Sequence, residues 1–249
     1  GFSAMEEIQR YSSTFGGEAA ASASPTASIY FNGTRVGYTR APVMAAFSAR
    51  GPNPLSLDVL KPDFTAPGVN ILAAWTAASS ASGIDEDKRR VLFNIISGTS
   101  MSCPHVAGLA ALLKSAHPTW SPAAIKSALM TTAKVVDDTD RPITDSAAGG
   151  ADATPLGFGA GHVNPNAALD PGLIYDINPQ DYLNFFCALN YNESMIAAFS
   201  SVFVCNRSDP RLGDLNYPSI TAVFPQRGNV VGSERSAYSS TFIRTVTNV

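Results

Sequence analysis

Blocks of apolar residues separated by polar, turn-forming segments predict strands that are followed by helices. Residues 91–96 form an apolar run, and after a short turn residues 107–113 form a run of small and apolar residues. The first run predicts a buried strand. The second predicts a helix that ends near Ala116 and is buried, because it is apolar on all sides. The other predicted strands span residues 41–47, 69–75, 220–224 and 238–246.

Start and turn signals place further elements along the chain. Ser121 followed by Pro122 predicts a second helix, with the serine as N-cap and the proline at the first helical position. Residues 181–199 return to helical spacing, whereas residues 27–38 alternate around an Asn-Gly pair and predict a hairpin. The pattern changes to strands towards the C-terminus, so a domain boundary is expected within residues 207–214.

Composition limits the classes of function. A chain of 249 residues with 45% hydrophobic and 15% charged residues is typical of a globular protein with a well-filled interior. The formal net charge is −3 and no basic block occurs, so nothing supports nucleic-acid binding. The longest apolar run ends at Lys114, far short of the roughly 20 residues that a membrane span needs, so no membrane partner is expected. No signal peptide is visible, and both ends of the chain predict a fragment of a longer protein.

Cysteines and glycosylation patterns indicate the compartment. Cys187 and Cys205 are close in sequence and could pair in an oxidising environment, whereas Cys103 lies in a different region. Three Asn-x-Ser/Thr triplets are acceptor patterns for glycosylation, at Asn32, Asn192 and Asn206. Two of these triplets lie beside the cysteine pair, and the combination favours secretion. No cofactor or metal site is predicted, because the histidines are scattered and no clustered carboxylates occur.

The candidate chemistry lies in the stretch SGTSMSCPHV, residues 97–106, between the predicted strand and helix. If Ser100 occupies the first residues of the helix, the unpaired N–H groups and the helix dipole lie beside its oxygen. They would stabilise the oxyanion of an acyl-transfer reaction. The same position suits an ordinary helix cap, so a nucleophile and a cap are both compatible with these residues.

A nucleophilic serine also needs a base, and the chain offers only three histidines. His105 lies five positions along the same helix, about 140° around its axis from Ser100, and cannot readily reach the hydroxyl. His117 precedes a proline at a predicted helix end, where a surface role is expected. His162 follows Ser100 in the order of an α/β-hydrolase triad, with an acid such as Asp137 or Asp145 between them, but the Gly-x-Ser-x-Gly elbow is absent. The residues therefore show a well-placed nucleophile without a convincing base.

Residues 98–108, GTSMSCPHVAG, resemble the serine motif of subtilisin-like proteases in the form typical of plant subtilases. Other segments resemble the same family in the same order and cover nearly the whole chain: residues 47–52, 61–69, 159–165, 170–176, 215–220 and 244–249.

The resemblance implies an α/β fold, with a subtilisin-like parallel sheet covered by helices, and a serine endopeptidase. Ser100 would be the nucleophile, and its backbone N–H would form half of the oxyanion hole. Cys187 and Cys205 would form a structural disulfide. Because the family is mostly secreted, the resemblance implies an extracellular protein of the cell wall or apoplast that acts on proteins or peptides.

The resemblance also implies four segments. Residues 1–40 would be the tail of a protease-associated insertion, and residues 41–180 the C-terminal part of the catalytic domain. Residues 181–213 would be a helical connector with the cysteine pair, and residues 214–249 the start of a fibronectin type III-like β-sandwich.

The sequence departs from the family in the other catalytic groups. It contains no Asp-Thr-Gly, His-Gly-Thr or Ala-Gly-Asn motif, which carry the family's acid, base and oxyanion asparagine. We therefore expect the isolated chain to be inactive, with the missing N-terminal part of the same protein as its partner. The alternative is a truncated, non-catalytic paralogue that binds peptides or partners.

Overall fold

The structure, a computed structural model, describes residues 40–205, 211–224 and 239–249, and Glu7 and Arg10 in isolation. The chain divides into two units, Gly1–Thr39 and Arg40–Val249, and the following description concerns the second. The predicted hairpin at residues 27–38, residues 1–39 of the predicted insertion tail, and the acceptors Asn32 and Asn206 lie outside the described residues.

Proline marks the start of most helices in the described part of the chain. The prediction for Ser121 is confirmed, because its hydroxyl accepts a hydrogen bond from the Ala124 amide at 3.0 Å and Pro122 is the first helical residue. The α-helices are α1 (Thr99–Ala116), α2 (Pro122–Thr131), α3 (Pro155–Phe158), α4 (Pro165–Ala168), α5 (Pro179–Ala188) and α6 (Glu193–Ala197), and 3₁₀ turns span Ser146–Ala148 and Leu212–Asp214.

The strands are short and form three small sheets. They are β1 (Val43–Met44), β2 (Ile71–Ala74), β3 (Phe93–Ile96), β4 (Thr144–Asp145), β5 (Ala151–Asp152), β6 (Leu173–Ile174) and β7 (Thr247–Asn248). Strands β1 and β4 are parallel, whereas β4–β5, β2–β3 and β6–β7 are antiparallel. The prediction of a parallel sheet is therefore wrong for most strand pairs in the described residues. The connection from β2 to β3 contains no crossover helix, and a pair joined without one runs antiparallel.

Two predicted C-terminal strands are also absent from the described residues of their segments. Residues 220–224 are irregular, and of the described residues after 238 only β7 is a strand. The Arg244 guanidinium instead donates to the carbonyls of Gly213, Tyr217 and Ser219 at 2.6–3.1 Å. These side-chain bonds tie residues 213–219 to the C-terminal segment without a strand ladder.

The main core surrounds α2, in which seven of ten residues are buried. Leu113 of α1, Trp120, Ala168 and Ile174 pack into the same cluster. The predicted burial of α1 and β3 is wrong, since Leu113 alone is buried among the eighteen residues of α1. Phe93 and Ile95 of β3 are 63% and 60% exposed. Within the described residues, no helix has the length and apolar character needed to cross a bilayer.

Candidate active site

Ser100 is the second residue of α1 and is exposed to solvent. Gly98 occupies the N-cap position, and no side chain caps the helix. The alternative in which Ser100 is the helix cap is therefore wrong. Its hydroxyl has no hydrogen-bond partner among the residues that the structure describes.

The start of α1 has uncompensated positive polarity. The first amides of a helix have no carbonyl partner four residues earlier, and the first turn of α1 contains no acidic residue. The helix dipole adds to this polarity and favours an anion at this end. Pro104, four residues after Ser100, has no N–H to donate to the Ser100 carbonyl and crowds it. The backbone around Ser100 is therefore less tightly bonded than the rest of the helix.

A segment that we call the strap, residues 61–70, fixes the turn that carries Ser100. The Gly98 amide donates to the Gly68 carbonyl at 2.8 Å. The Asn70 amide donates to the Ser97 hydroxyl at 2.8 Å, and the Ser102 hydroxyl donates to the Ala66 carbonyl at 3.0 Å. The strap therefore holds residues on both sides of Ser100 without occupying its hydroxyl.

Gly68 allows this close approach. A Cβ at position 68 would lie 2.3 Å from the Ser102 hydroxyl oxygen and 2.9 Å from the Gly98 carbonyl oxygen. Real Cβ atoms do not approach at 2.3 Å, so any other residue here would push the strap away from α1.

A mainly apolar cavity of about 960 Å³ lies against one side of α1. Thr99, Ser102 and Cys103 line it from the helix, and Phe47 and Phe64 line it from outside the helix. Ser100 is not among its lining residues, so the cavity lies beside the hydroxyl.

Each of the three histidines has a ring nitrogen at a backbone carbonyl. The Nδ1 of His105 lies 2.8 Å from the Met101 carbonyl oxygen, one turn earlier in α1. The Nε2 of His117 lies 2.8 Å from the Leu169 carbonyl oxygen, and the Nδ1 of His162 lies 3.2 Å from that of Val163. Burial lowers the pKa of His162 below its ordinary value and favours a neutral ring. No histidine is hydrogen-bonded to Ser100.

The two candidate acids are also engaged elsewhere. Asp137 accepts hydrogen bonds from Thr139 and Arg141 and pairs with Arg40 at 3.1 Å. Asp145 accepts two hydrogen bonds from the Arg50 guanidinium, at 3.1 and 2.6 Å. The structure therefore does not assemble the α/β-hydrolase alternative of Ser100, an acid and His162.

The remaining candidate residues lie outside this site. Cys187 and Cys205 are joined by a disulfide, and Cys103 is an exposed free thiol. Asn192 is exposed and is the N-cap of α6, where its Oδ1 accepts from the Met195 amide at 2.9 Å. This bond leaves the Asn192 side-chain nitrogen available for a sugar. In the described residues, no group of three or more His, Cys, Asp or Glu side chains could hold a metal ion.

Sequence reasoning did not identify the strap as part of the site. The Pro-Gly pair at residues 67–68 signals a turn, but nothing local indicates that this turn packs on a helix that begins about thirty residues later. The strap therefore becomes visible only from its contacts with Ser97, Gly98 and Ser102.

The chain is similar in sequence to proteins of a known family. Residues 13–161 match the family profile described as the subtilase family. The chain is 51% identical over 252 residues to the subtilisin-like protease SBT1.5 of Arabidopsis thaliana, covering 100% of the chain and 32% of that relative. It is 56% identical over 227 residues to SBT1.7 of the same plant, covering 90% of the chain and 28% of the relative. It is 54% identical over 191 residues to the subtilisin-like protease Glyma18g48580 of Glycine max, covering 76% of the chain and 24% of that relative. The chain thus spans about a third of the length of these relatives, or less.

Proposed function

The chain belongs to the subtilase family, and from this premise we propose that Ser100 is the nucleophile of a serine endopeptidase. The serine oxygen attacks the carbonyl carbon of the scissile peptide bond, and the proton of the hydroxyl passes to a base. The carbonyl oxygen takes on negative charge. As this intermediate collapses, the protonated base gives its proton to the leaving nitrogen, the C–N bond breaks, and an acyl group remains on Ser100. Water then hydrolyses the ester.

The observation that supports this role most strongly is the setting of Ser100. An exposed serine, whose hydroxyl has no hydrogen-bond partner in the described part of the chain, lies in the first turn of an 18-residue helix. That turn has no side-chain cap and no acidic residue. The Ser100 amide is one of the first N–H groups, which lack an intrahelical acceptor, and it serves as one donor to the oxyanion. The strap keeps this amide in place before substrate arrives, as electrostatic preorganisation requires.

The base and the acid come from outside the described residues in this proposal. All three histidines face backbone carbonyls elsewhere, and the chain spans only 32% of the SBT1.5 relative. We propose that the N-terminal part of the protease supplies both groups and covers the apolar surface of α1 and β3. The isolated chain is then inactive, because triad members act as a unit. The same engaged histidines favour the second candidate, a non-catalytic paralogue that binds peptides or partners.

The domain and compartment assignments belong to the same proposal. Residues 1–40 end a protease-associated insertion, 41–180 complete the catalytic domain, 181–213 form the connector and 214–249 begin a fibronectin type III-like domain. The disulfide of the connector and the exposed acceptor Asn192 support secretion and glycosylation. We propose an extracellular location on this basis.

Two measurements test the proposed function. The purified chain should not cleave casein, and cleavage that disappears in Ser100→Ala would show that the chain contains its own base.

In a graft, this chain replaces the matching third of the SBT1.5 relative, to which it is 51% identical. The graft should hydrolyse peptides, and Ser100→Ala should abolish hydrolysis. Ser115→Ala, the matched control at an exposed serine near the other end of α1, should retain it. A fully active Ser100→Ala graft would refute the role of Ser100.

A further inference from the structure

A half-buried polar cluster around the buried Tyr217 lies at the opposite end of the strap from Ser100. Tyr217 is 5% exposed, and its hydroxyl donates to a carboxylate oxygen of Asp63. We propose that Tyr217 is a positioning residue for Ser100, acting through Asp63 and the strap. Its catalytic consequence rests on the proposed function, whereas the mechanical coupling does not.

Two lysines complete the cluster around Tyr217 and Asp63. The Nζ of Lys61 lies 2.6 Å from Asp63 Oδ1 and 3.2 Å from the Tyr217 hydroxyl oxygen. The Nζ of Lys126 lies 3.9 Å from Asp63 Oδ2. Both ammonium groups lie over the Tyr217 ring, 5.5 and 5.4 Å from its centroid, within the range of cation–π attraction. Burial and the hydrogen bond to Asp63 raise the pKa of the Tyr217 hydroxyl, so it remains a donor at neutral pH.

The middle of the strap is bonded to the segment around residue 161. The Ala160 amide donates to the Asp63 carbonyl at 2.9 Å. The Thr65 amide donates to the Gly161 carbonyl at 2.8 Å, and the Thr65 carbonyl accepts from the Val163 amide at 2.9 Å. A displacement of Asp63 therefore also shifts the adjoining backbone, which continues directly to Ala66 and Gly68.

Close packing transmits such a movement. A Cβ on Gly159 would lie 2.4 Å from the Pro62 carbonyl oxygen, so the backbones meet without free space. Beyond Thr65, the carbonyls of Ala66 and Gly68 accept from Ser102 and Gly98, the residues on either side of Ser100. Hydrogen bonds to the rest of the chain recur along the strap from Asp63 to Asn70. A displacement at Asp63 is therefore not taken up by a long segment without such bonds.

The C-terminal segment holds the other side of Tyr217. Arg244 donates to the Tyr217 carbonyl at 3.1 Å and to the Ser219 carbonyl at 2.9 Å. Asn216 bonds the Asp176 carbonyl and the Thr245 backbone, each at 2.8 Å. The placement of the Ser100 turn thus depends on residues more than a hundred positions later in the chain.

Hydrogen exchange of individual amides tests the coupling in the full 249-residue chain. Tyr217→Phe removes the hydroxyl and keeps the ring, and Tyr191→Phe is the matched control outside the cluster. In Tyr217→Phe, the amides of Thr65 and Gly98 should exchange about tenfold faster relative to the His117 amide at the end of α1. Tyr191→Phe should leave this ratio unchanged. An equal acceleration at all three amides, or none, would overturn the proposal, because a general loss of stability has no preference for the strap.

A second pair of variants changes the acceptor Asp63 and leaves Tyr217 intact, so that an effect of altering the tyrosine ring itself is excluded. Asp63→Asn keeps an oxygen that accepts from Tyr217, whereas Asp63→Ala does not. The exchange ratio should rise several-fold less in Asp63→Asn than in Asp63→Ala, and equal ratios would contradict the proposed contact.

Catalytic consequence is measured separately, in the SBT1.5 graft. Tyr217→Phe should lower kcat about tenfold and leave KM within twofold, since the turn acts in the chemical step. A raised KM with unchanged kcat would overturn the positioning role. Inactivity of the unsubstituted graft would instead count against the proposed function, while the exchange experiment still decides the coupling.

Discussion

Helices α1 and α2 follow each other in the chain but have opposite environments. Seven of the ten residues of α2 are buried, whereas one of the eighteen residues of α1 is. Both helices are rich in alanine and leucine or isoleucine, so composition does not explain the difference. Helix α2 has the role of a structural core element, whereas α1 presents the proposed nucleophile on a surface that other polypeptide would cover in the proposed protease.

The comparison separates two kinds of apolar residue. In α2, apolar side chains stabilise the described part of the chain by leaving water. In α1 and β3, most apolar side chains remain in contact with water and contribute little to the stability of this part. The same substitution should therefore have very different effects in the two helices.

The largest expected effect is that of a leucine truncation in α2. Leu129 is 2% exposed, and Leu129→Ala should lower the free energy of unfolding by about 2–5 kcal/mol. Leu112 in α1 is 67% exposed, and Leu112→Ala should change the free energy of unfolding by less than about 0.5 kcal/mol. Urea unfolding of the two variants measures both values. Similar losses would mean that α1 is covered in the isolated chain.

Local signals explain which parts of this comparison were predictable. The Ser-Pro start of α2 depends on neighbouring residues and follows the prediction, and α1 begins at Thr99, within the turn that was expected to precede it. Burial depends on what packs against a helix, and the apolar pattern of α1 says only that it could be buried. The antiparallel β2–β3 pair was missed for a similar reason, since pairing direction depends on the connection between strands.

The candidate site was likewise predictable only where its structure depends on neighbouring residues in the sequence. The position of Ser100 in the first turn of α1 follows from its local sequence. The contacts of the strap, which include the bonds of Lys61 and Asp63 to Tyr217, join residues up to 156 positions apart, and no local periodicity indicates such pairs.

The next largest effect is expected at the ion pair of Arg50 and Asp145. Burial opposes ionisation of Asp145, but hydrogen bonds from Arg50 and from the Ala147 and Ala148 amides outweigh it and hold the pKa of the carboxyl below its ordinary value. A depressed pKa in the folded state stabilises the protein above the unfolded pKa, near 4, and this contribution is lost as the pH falls through the folded value.

Arg50→Met tests this pair. It should cost about 1.5–3 kcal/mol at pH 7, and the difference from the unsubstituted chain should shrink as the pH falls below about 4. Urea unfolding at a series of pH values measures the difference. A gap that stays constant down to pH 2 would show that the charge of Asp145 is not involved.

The smallest effects are expected at the two serines of α1. Ser102→Ala removes the bond to the Ala66 carbonyl and should cost about 1 kcal/mol. Ser100→Ala removes an exposed hydroxyl without a partner in the described residues and should leave the unfolding midpoint unchanged. Thermal unfolding of the two variants compares them. A larger loss for Ser100→Ala would give that hydroxyl a structural role.

The reactive residue itself can be located by a fluorophosphonate probe, which forms a covalent adduct with an activated serine. We expect mass spectrometry of peptides from the labelled SBT1.5 graft to place the adduct on Ser100, and the isolated chain to stay unlabelled. An adduct on Ser102, or an active graft that carries no adduct on Ser100, would contradict the assignment of the nucleophile.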